Sequence, residues 1–247
     1  MDQRIAGLTL SGVVVIVGNY GSGKTEVAIN LAAGQKTRGC SVQLADLDLV
    51  NLYFRTRQAR ETMSALGIPM VLPARELLNA DLPVLTPRIN GLIRNPGELA
   101  ILDVGGDRVG ATVLGALADA FEQTIHRVIV WQVVNPQRPG SDSLKGCLAA
   151  RAAIEAAARL PVSGWVGNAH LMGETTLDHI VQGYKLMTAL AKASDLPLAF
   201  ITMPGGLWAT ADRSMFTCPV LPIRRQLVPP WEKATALGAQ IETRKGD

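Results

Sequence analysis

Gly18-Asn19-Tyr20-Gly21-Ser22-Gly23-Lys24-Thr25 satisfies the pattern G-x-x-x-x-G-K-[ST], and its flanks decide how it is read. The apolar, β-branched run Val13–Val17 precedes it, and the Ala/Leu-rich stretch Lys24–Arg38 follows it. A strand, a glycine-rich turn and a helix in that order give the pattern its physical meaning. The glycines let successive backbone N–H groups turn inward around a phosphate, and the helix adds its N-terminal dipole. On this reading Asn19, Tyr20, Gly21, Ser22, Gly23, Lys24, Thr25 and Glu26 are nucleotide-contacting positions. Lys24 reaches the β- and γ-phosphates and is catalytic, and the Thr25 hydroxyl ligates Mg²⁺. A dinucleotide fingerprint cannot be placed on these glycines. A G-x-S-x-G elbow also fails, because Tyr20 stands where its first Gly belongs.

Outward from this loop, apolar runs alternate with helical stretches. Strands are predicted at Val13–Val17, Ser41–Asp46, Ile68–Leu72, Leu99–Val104, Val128–Val134, Val162–Asn168, Leu198–Met203 and Val220–Arg224. Most lack polar alternation, as expected of parallel strands covered on both faces. Helices are predicted at Lys24–Arg38, Arg57–Leu66, Pro87–Arg94, Ala111–Gln123, Ser143–Ala158 and Thr176–Ala193. In Ser143–Ala158 the stripe Leu144, Leu148, Ala152, Ala156 is expected to face the sheet. The pattern implies a doubly wound α/β fold with a mostly parallel sheet and helices on both faces. With no linker or repeat, residues 1–247 read as one domain, ending in an edge strand and a Pro-rich arm.

Composition narrows the function. The 247 residues are 48% hydrophobic and 18% charged, with a net charge of +3, too small to call for a nucleic-acid partner. No apolar run approaches the roughly 18 residues of a membrane span. The N-terminal stretch reads as a lead-in to the first strand, not as a signal peptide. Cys40, Cys147 and Cys218 are odd in number, with no CxxC, so a reducing cytoplasm is the expected setting. His126, His170 and His179 lack metal-ligand spacing, and neither zinc nor an iron–sulfur cluster is expected.

A phosphoryl-transfer site also needs carboxylates beyond the carboxyl ends of its strands. Two strands supply them, ending Ala45-Asp46-Leu47-Asp48 and Ile101-Leu102-Asp103-Val104-Gly105-Gly106-Asp107. Asp103 is the Mg²⁺-side carboxylate, Gly105-Gly106 allows close approach to a γ-phosphate, and Asp107 fixes that loop.

In this order of motifs the chain resembles the MinD/ParA/nitrogenase-iron-protein class of P-loop ATPases. The resemblance implies ATP and Mg²⁺ as cofactors. It makes Asp48 the water-positioning residue beside the metal, and D-x-x-G-D (Asp103, Gly106, Asp107) the second switch. It makes Asn168 the reader of the purine edge and Pro204, in Met203-Pro204-Gly205, part of a base-flanking turn. The signature Lys that the family uses across its dimer interface is replaced here by Asn19. The partners implied are a protein client, of the kind served by accessory or maturation ATPases of metalloenzymes, and a nucleotide-dependent second copy. A ligase or kinase similar to dethiobiotin synthetase, and a nucleotide-sensing subunit with little hydrolysis, stay open as alternatives. A GTPase is disfavoured, since Asn168-Ala169-His170-Leu171 lacks the Lys and Asp of N/TKxD.

Three further stretches are ambiguous. Residues 51–55 read as a switch or as an ordinary loop. Val134–Pro139 reads as a nucleotide contact, a client contact or a plain turn. Arg224-Arg225 reads as a solvated pair.

Overall fold

The computed structural model describes residues 8–48, 56–71, 87–106, 108–228, 234, 235 and 237. Its strands are β1 (Gly12–Val17), β2 (Val42–Leu47), β3 (Met70–Val71), β4 (Leu99–Val104), β5 (Val128–Val134), β6 (Gly164–Gly167), β7 (Leu198–Pro204) and β8 (Val220–Ile223). They form one sheet in the order β3-β2-β4-β1-β5-β6-β7-β8. Every pairing is parallel. The helices are α1 (Lys24–Thr37), α2 (Thr56–Ala65), α3 (Pro87–Arg94), α4 (Arg108–Ala116), α5 (Ala118–Gln123), α6 (Leu144–Ala158), α7 (Leu177–Ser194) and α8 (Gly205–Thr210).

The central strand shows why its sequence is apolar without alternation. All six residues of β1 are buried. Val14 and Ile16 pack with Val27, Ala28 and Leu31 of α1, while Val13, Val15 and Val17 pack with residues of α3, α4 and α5. Both faces are therefore covered, α1 and α2 on one side and α3 to α7 on the other. That leaves the carboxyl edge of the sheet as the open place for a ligand.

Three expectations need correction. The stretch Ala111–Gln123 is not one helix. It breaks at Leu117, whose N–H reaches back only three residues, to Leu114, so α4 and α5 are separate. The buried face of α6 is set by Cys147 and Ala158, with Leu144, Leu148 and Ile154 half-buried, while Ala152 and Ala156 are exposed. Steps of four residues drift about 40° per step around a 3.6-residue helix, so a straight i+4 row leaves the sheet after two turns. The third strand is only Met70–Val71 among the described residues. Asp107, residues 51–55 and most of the chain after 228 lie outside the described residues.

The chain beyond β8 is pinned to α1 through Asn30, which is almost fully buried. Asn30 Oδ1 accepts from the Arg224 N–H at 2.8 Å, and Nδ2 donates to the Arg224 carbonyl at 3.2 Å. Replacing Asn30 by Ala leaves both backbone groups without these partners. Asn30→Ala should lower stability by about 1–3 kcal/mol, read as a reduced midpoint in urea unfolding with an unchanged slope.

Candidate functional site

The site is built where β1 turns into α1. Gly23 caps the helix in the left-handed region, φ 84°, and brings no side chain to satisfy its first turn. A Cβ at Gly23 would collide with Asn168 Nδ2, so only glycine fits here. The first-turn N–H groups and their dipole are left to face the cavity at the carboxyl edge of the sheet. Lys24 is buried, and its Nζ donates to the Asn19 carbonyl at 3.1 Å, inside the loop. Gly106, past β4, packs directly on Lys24 Nζ, and a Cβ there would lie 2.8 Å from the Tyr20 backbone nitrogen. The glycine at this place is what lets the segment after β4 touch the loop.

The carboxylates follow from strand alternation. Val42 and Leu44 of β2, and Leu99 and Ile101 of β4, pack on the α1 side. Asp46 and Asp103 continue those two alternations and sit opposite each other in register. Both therefore look toward the start of α1, where Lys24 and Thr25 are. Asp48, one strand period further on, donates its N–H to Asp46 Oδ1 at 3.0 Å and lines the cavity. Asp103 is buried, and neither of its oxygens has a hydrogen-bond partner. Burial pushes its carboxyl up to about 7, helped by the negative charges of Asp46 and Asp48. Lys24 and the Thr25 hydroxyl pull the other way, although Thr25 stops short of hydrogen-bond geometry.

A cavity of about 500 Å³ opens over this edge, within the range of small-ligand sites. The phosphate-loop residues Tyr20, Gly21, Gly23, Lys24, Thr25 and Glu26 form its floor, with Asp48 and Gly106 at one end. Asn168, His170, Thr202, Pro204, Arg225 and Leu227 also line it, and Arg138 lies against the loop at Gly21. Asn168 is clamped there. Its Nδ2 donates to the Ser22 carbonyl at 2.6 Å, and its Oδ1 accepts from the Thr202 hydroxyl. His170 Nε2 has no hydrogen-bond partner. Burial first, then the charges of Arg138 and Arg225, hold its imidazole below the ordinary histidine value.

The described fold is similar to a number of solved structures, two of which serve as examples. One is the cell division protein ftsY of Thermotoga maritima, with a TM-score of 0.55 and 17% identity over 78% of this chain and 62% of that one. The other is FtsY of Mycoplasma mycoides, with a TM-score of 0.53 and 19% identity over 81% and 63%. No protein-family model and no curated protein matches the chain. The fold is that of a P-loop NTPase. This chain spans a little over three fifths of the length of the FtsY structures it matches, and at such identity the likeness is one of fold.

Within this P-loop fold, the expected residues Tyr20 to Glu26, Asp48, Asn168 and Pro204 share one cavity, and Asp103 lies beneath it. Asn19 instead directs its side chain away, Nδ2 donating to Ser141 Oγ at 3.2 Å. Glu26 gives its carboxylate to the backbone N–H groups of Gln226 (2.8 Å) and Leu227 (3.0 Å). Thr25 and Asp103 are hard oxygen donors. Among the described residues no three His, Cys, Asp or Glu form a metal cage. That donor set fits Mg²⁺, which takes one or two protein oxygens and completes its shell with phosphate and water. Sequence reading missed His170 and Arg225 as cavity residues, while Arg138 belongs to the Val134–Pro139 stretch whose open readings included a nucleotide contact, and Arg224-Arg225 is half-buried, not a solvated pair. The signal available for all three was position: each stands shortly past the end of β5, β6 or β8.

Asp103 gives a pH-dependent prediction for the ligand-free protein. Its folded value is raised, so its contribution to stability is full below the ordinary value of 3.8 and is lost as pH rises through about 7. Asp103→Asn removes the charge facing Asp46. It should raise stability at pH 8 by roughly 1–4 kcal/mol, an advantage that vanishes toward pH 4 in thermal melts. A variant no more stable than wild type at pH 8 would rule out this charge burden.

Proposed function

We propose that this chain is a Mg²⁺-dependent ATPase that acts as a nucleotide switch on a protein client, in the manner of the MinD/ParA class. The observation that carries the reading is the convergence, at the glycine-capped start of α1, of Lys24, Thr25 and the in-register Asp46–Asp103 pair. A triphosphate on the loop takes the first-turn N–H groups of α1 and draws Lys24 off the Asn19 carbonyl. Bound Mg²⁺ would be held on the protein side by the Thr25 hydroxyl and, through water, by Asp103, and would neutralise charge on the transferring phosphoryl group. Asp48 orients the attacking water. Gly106 abuts Lys24 and the Tyr20 backbone, so the segment after β4 senses whether the terminal phosphate is there.

Adenine is favoured over guanine because the Lys and Asp of a guanine-reading motif are missing after Asn168. The Asn168 amide keeps one N–H beyond its bond to Ser22 for a base edge. A protein client is preferred to a nucleic acid because the net charge is only +3. No helix among the described residues is long and apolar enough to cross a membrane.

Isothermal titration with ATP and GTP tests the reading. Wild type should bind Mg²⁺-ATP more tightly than Mg²⁺-GTP, and Lys24→Ala should lose about 2–5 kcal/mol of ATP affinity. Unchanged affinity in Lys24→Ala would dismiss the loop as the nucleotide site. For Asp48→Asn the expectation is retained ATP affinity with turnover about 10²-fold slower, measured as phosphate release. The ATP-locked variant should then hold its client, or a second copy of itself, on size-exclusion chromatography. A ligase or kinase would lose product without gaining such a complex.

A further inference from the structure

Arg138 plays no part in the mechanism above, yet the fold lays its side chain on the phosphate loop from the neighbouring strand. The turn between β5 and α6 that carries it is held at several points. Asn135 is fully buried. Its Oδ1 accepts from the N–H groups of Gln137 (3.1 Å) and His170 (3.2 Å), and its Nδ2 donates to the His170 carbonyl at 3.1 Å. The Arg138 N–H donates to the Asn135 carbonyl at 3.1 Å, and the Ser141 N–H to the Arg138 carbonyl at 3.0 Å. Ser141 Oγ then accepts from Asn19 Nδ2 at 3.2 Å, which ties the turn to the loop's second residue.

The outcome is a cation where the nucleotide reading puts phosphate. Arg138 Nε stands 3.4 Å from the position of a Cβ on Gly21, and the side chain lines the cavity together with Lys24 and Thr25. Arg138 is exposed, and no carboxylate among the described residues forms an ion pair with it. A guanidinium is the side chain whose donor fork matches phosphate oxygens.

We propose that Arg138 contacts the phosphate chain of the bound nucleoside triphosphate from within the same chain, and that Asn19 and Ser141 are the positioning residues that hold it there. The inference rests on the nucleotide reading above and adds a phosphate ligand to it. A guanidinium at this place supplies, without a partner subunit, positive charge against the charge on the phosphoryl oxygens. Asn19 thereby acts through Arg138.

The test uses the full chain with Mg²⁺-ATP, comparing wild type, Lys24→Ala, Arg138→Ala, Arg138→Lys, Asn19→Ala and the Asn19→Ala/Arg138→Ala double variant. Arg138→Ala should weaken ATP binding about 10-fold or more and flatten its dependence on ionic strength, with the ligand-free melting temperature unchanged. Arg138→Lys should recover part of the affinity and the salt dependence. Asn19→Ala should weaken ATP binding in wild type and have little further effect in Arg138→Ala, because the two act through one contact. Arg138→Ala within about twofold of wild type in affinity and turnover, with binding still lost in Lys24→Ala, overturns this proposal and leaves the nucleotide reading standing. Wild type that binds no nucleoside triphosphate overturns both. Equal effects of Asn19→Ala with and without Arg138 overturn the positioning role.

Discussion

An ionised carboxylate taken out of water without partners costs several kcal/mol, and Asp103 sits in that condition at the end of β4. The neighbouring strand makes it worse, because the parallel register sets Asp46 directly opposite. Lys24, on the first turn of α1, is the compensating charge that the described residues place against it, and Lys24 itself is held back by the Asn19 carbonyl. The ligand-free site is therefore an unfinished electrostatic arrangement, stable only because a large two-sided core carries it. Its natural completion is added positive charge on the oxygen side and added negative charge on the N–H side. The proposed nucleotide reading supplies both, as the two halves of a metal-bound phosphate. Such stored cost is what distinguishes a site from a core position, where the same strand geometry would carry a valine.

The loop between β1 and α1 is fixed from several directions by the protein itself. Asn168, reaching over from β6, holds the Ser22 carbonyl, and Thr202 on β7 holds Asn168. The turn after β5 holds Asn19 through Ser141, and Gly106 abuts Tyr20 from the β4 side. Strands on either side of β1 thus each contribute a brace. Preorganised donors of this kind avoid reorganisation when charge develops, which is where electrostatic stabilisation gains its size. On the proposed nucleotide reading Asn168 has a double duty, since the residue offered to a base is also the one bonded to the Ser22 carbonyl of the loop.

Much of this was legible in the sequence, for identifiable reasons. Parallel strands buried on both faces must be apolar throughout, so β1, β4, β5 and β7 announced themselves as uninterrupted runs. The D-x-D spacing at the end of β2 carries a period of two, which puts Asp46 and Asp48 on one face, and the strand–loop–helix context fixed Lys24 and Thr25. What failed was what depends on the third dimension. An i+4 alanine row looked like a packing stripe on α6 because alanine is tolerated on either side of a helix, and the true face follows Cys147, Ile154 and Ala158. Arg138, His170 and Arg225 join the cavity from three different strand ends; strand-end position admitted a nucleotide contact for Val134–Pro139 among other readings, and residue type alone marks no such convergence for His170 or Arg225. The break between α4 and α5 was hidden for a similar reason, since Leu117 suits a helix interior as well as a junction.

Glu26 shows how far such convergence reaches. It is one residue past Thr25, on the turn that faces the cavity, and sequence alone makes it a ligand neighbour. Burial holds its carboxyl above the ordinary carboxylate value, and the N–H groups of Leu227 and Gln226, the Asn30 amide and the Arg225 charge offset only part of that rise. A carboxylate desolvated to this degree and answered by backbone donors from a segment 200 residues away acts as a rivet. It fixes the segment 225–227, whose Arg225 and Leu227 line the cavity, to the same helical turn that carries Lys24 and Thr25. The position of that segment is thereby set by α1 itself and not by the length of a loop. On the proposed nucleotide reading, Arg225 and Leu227 meet the ligand from a segment already tied to the turn that carries Lys24 and Thr25.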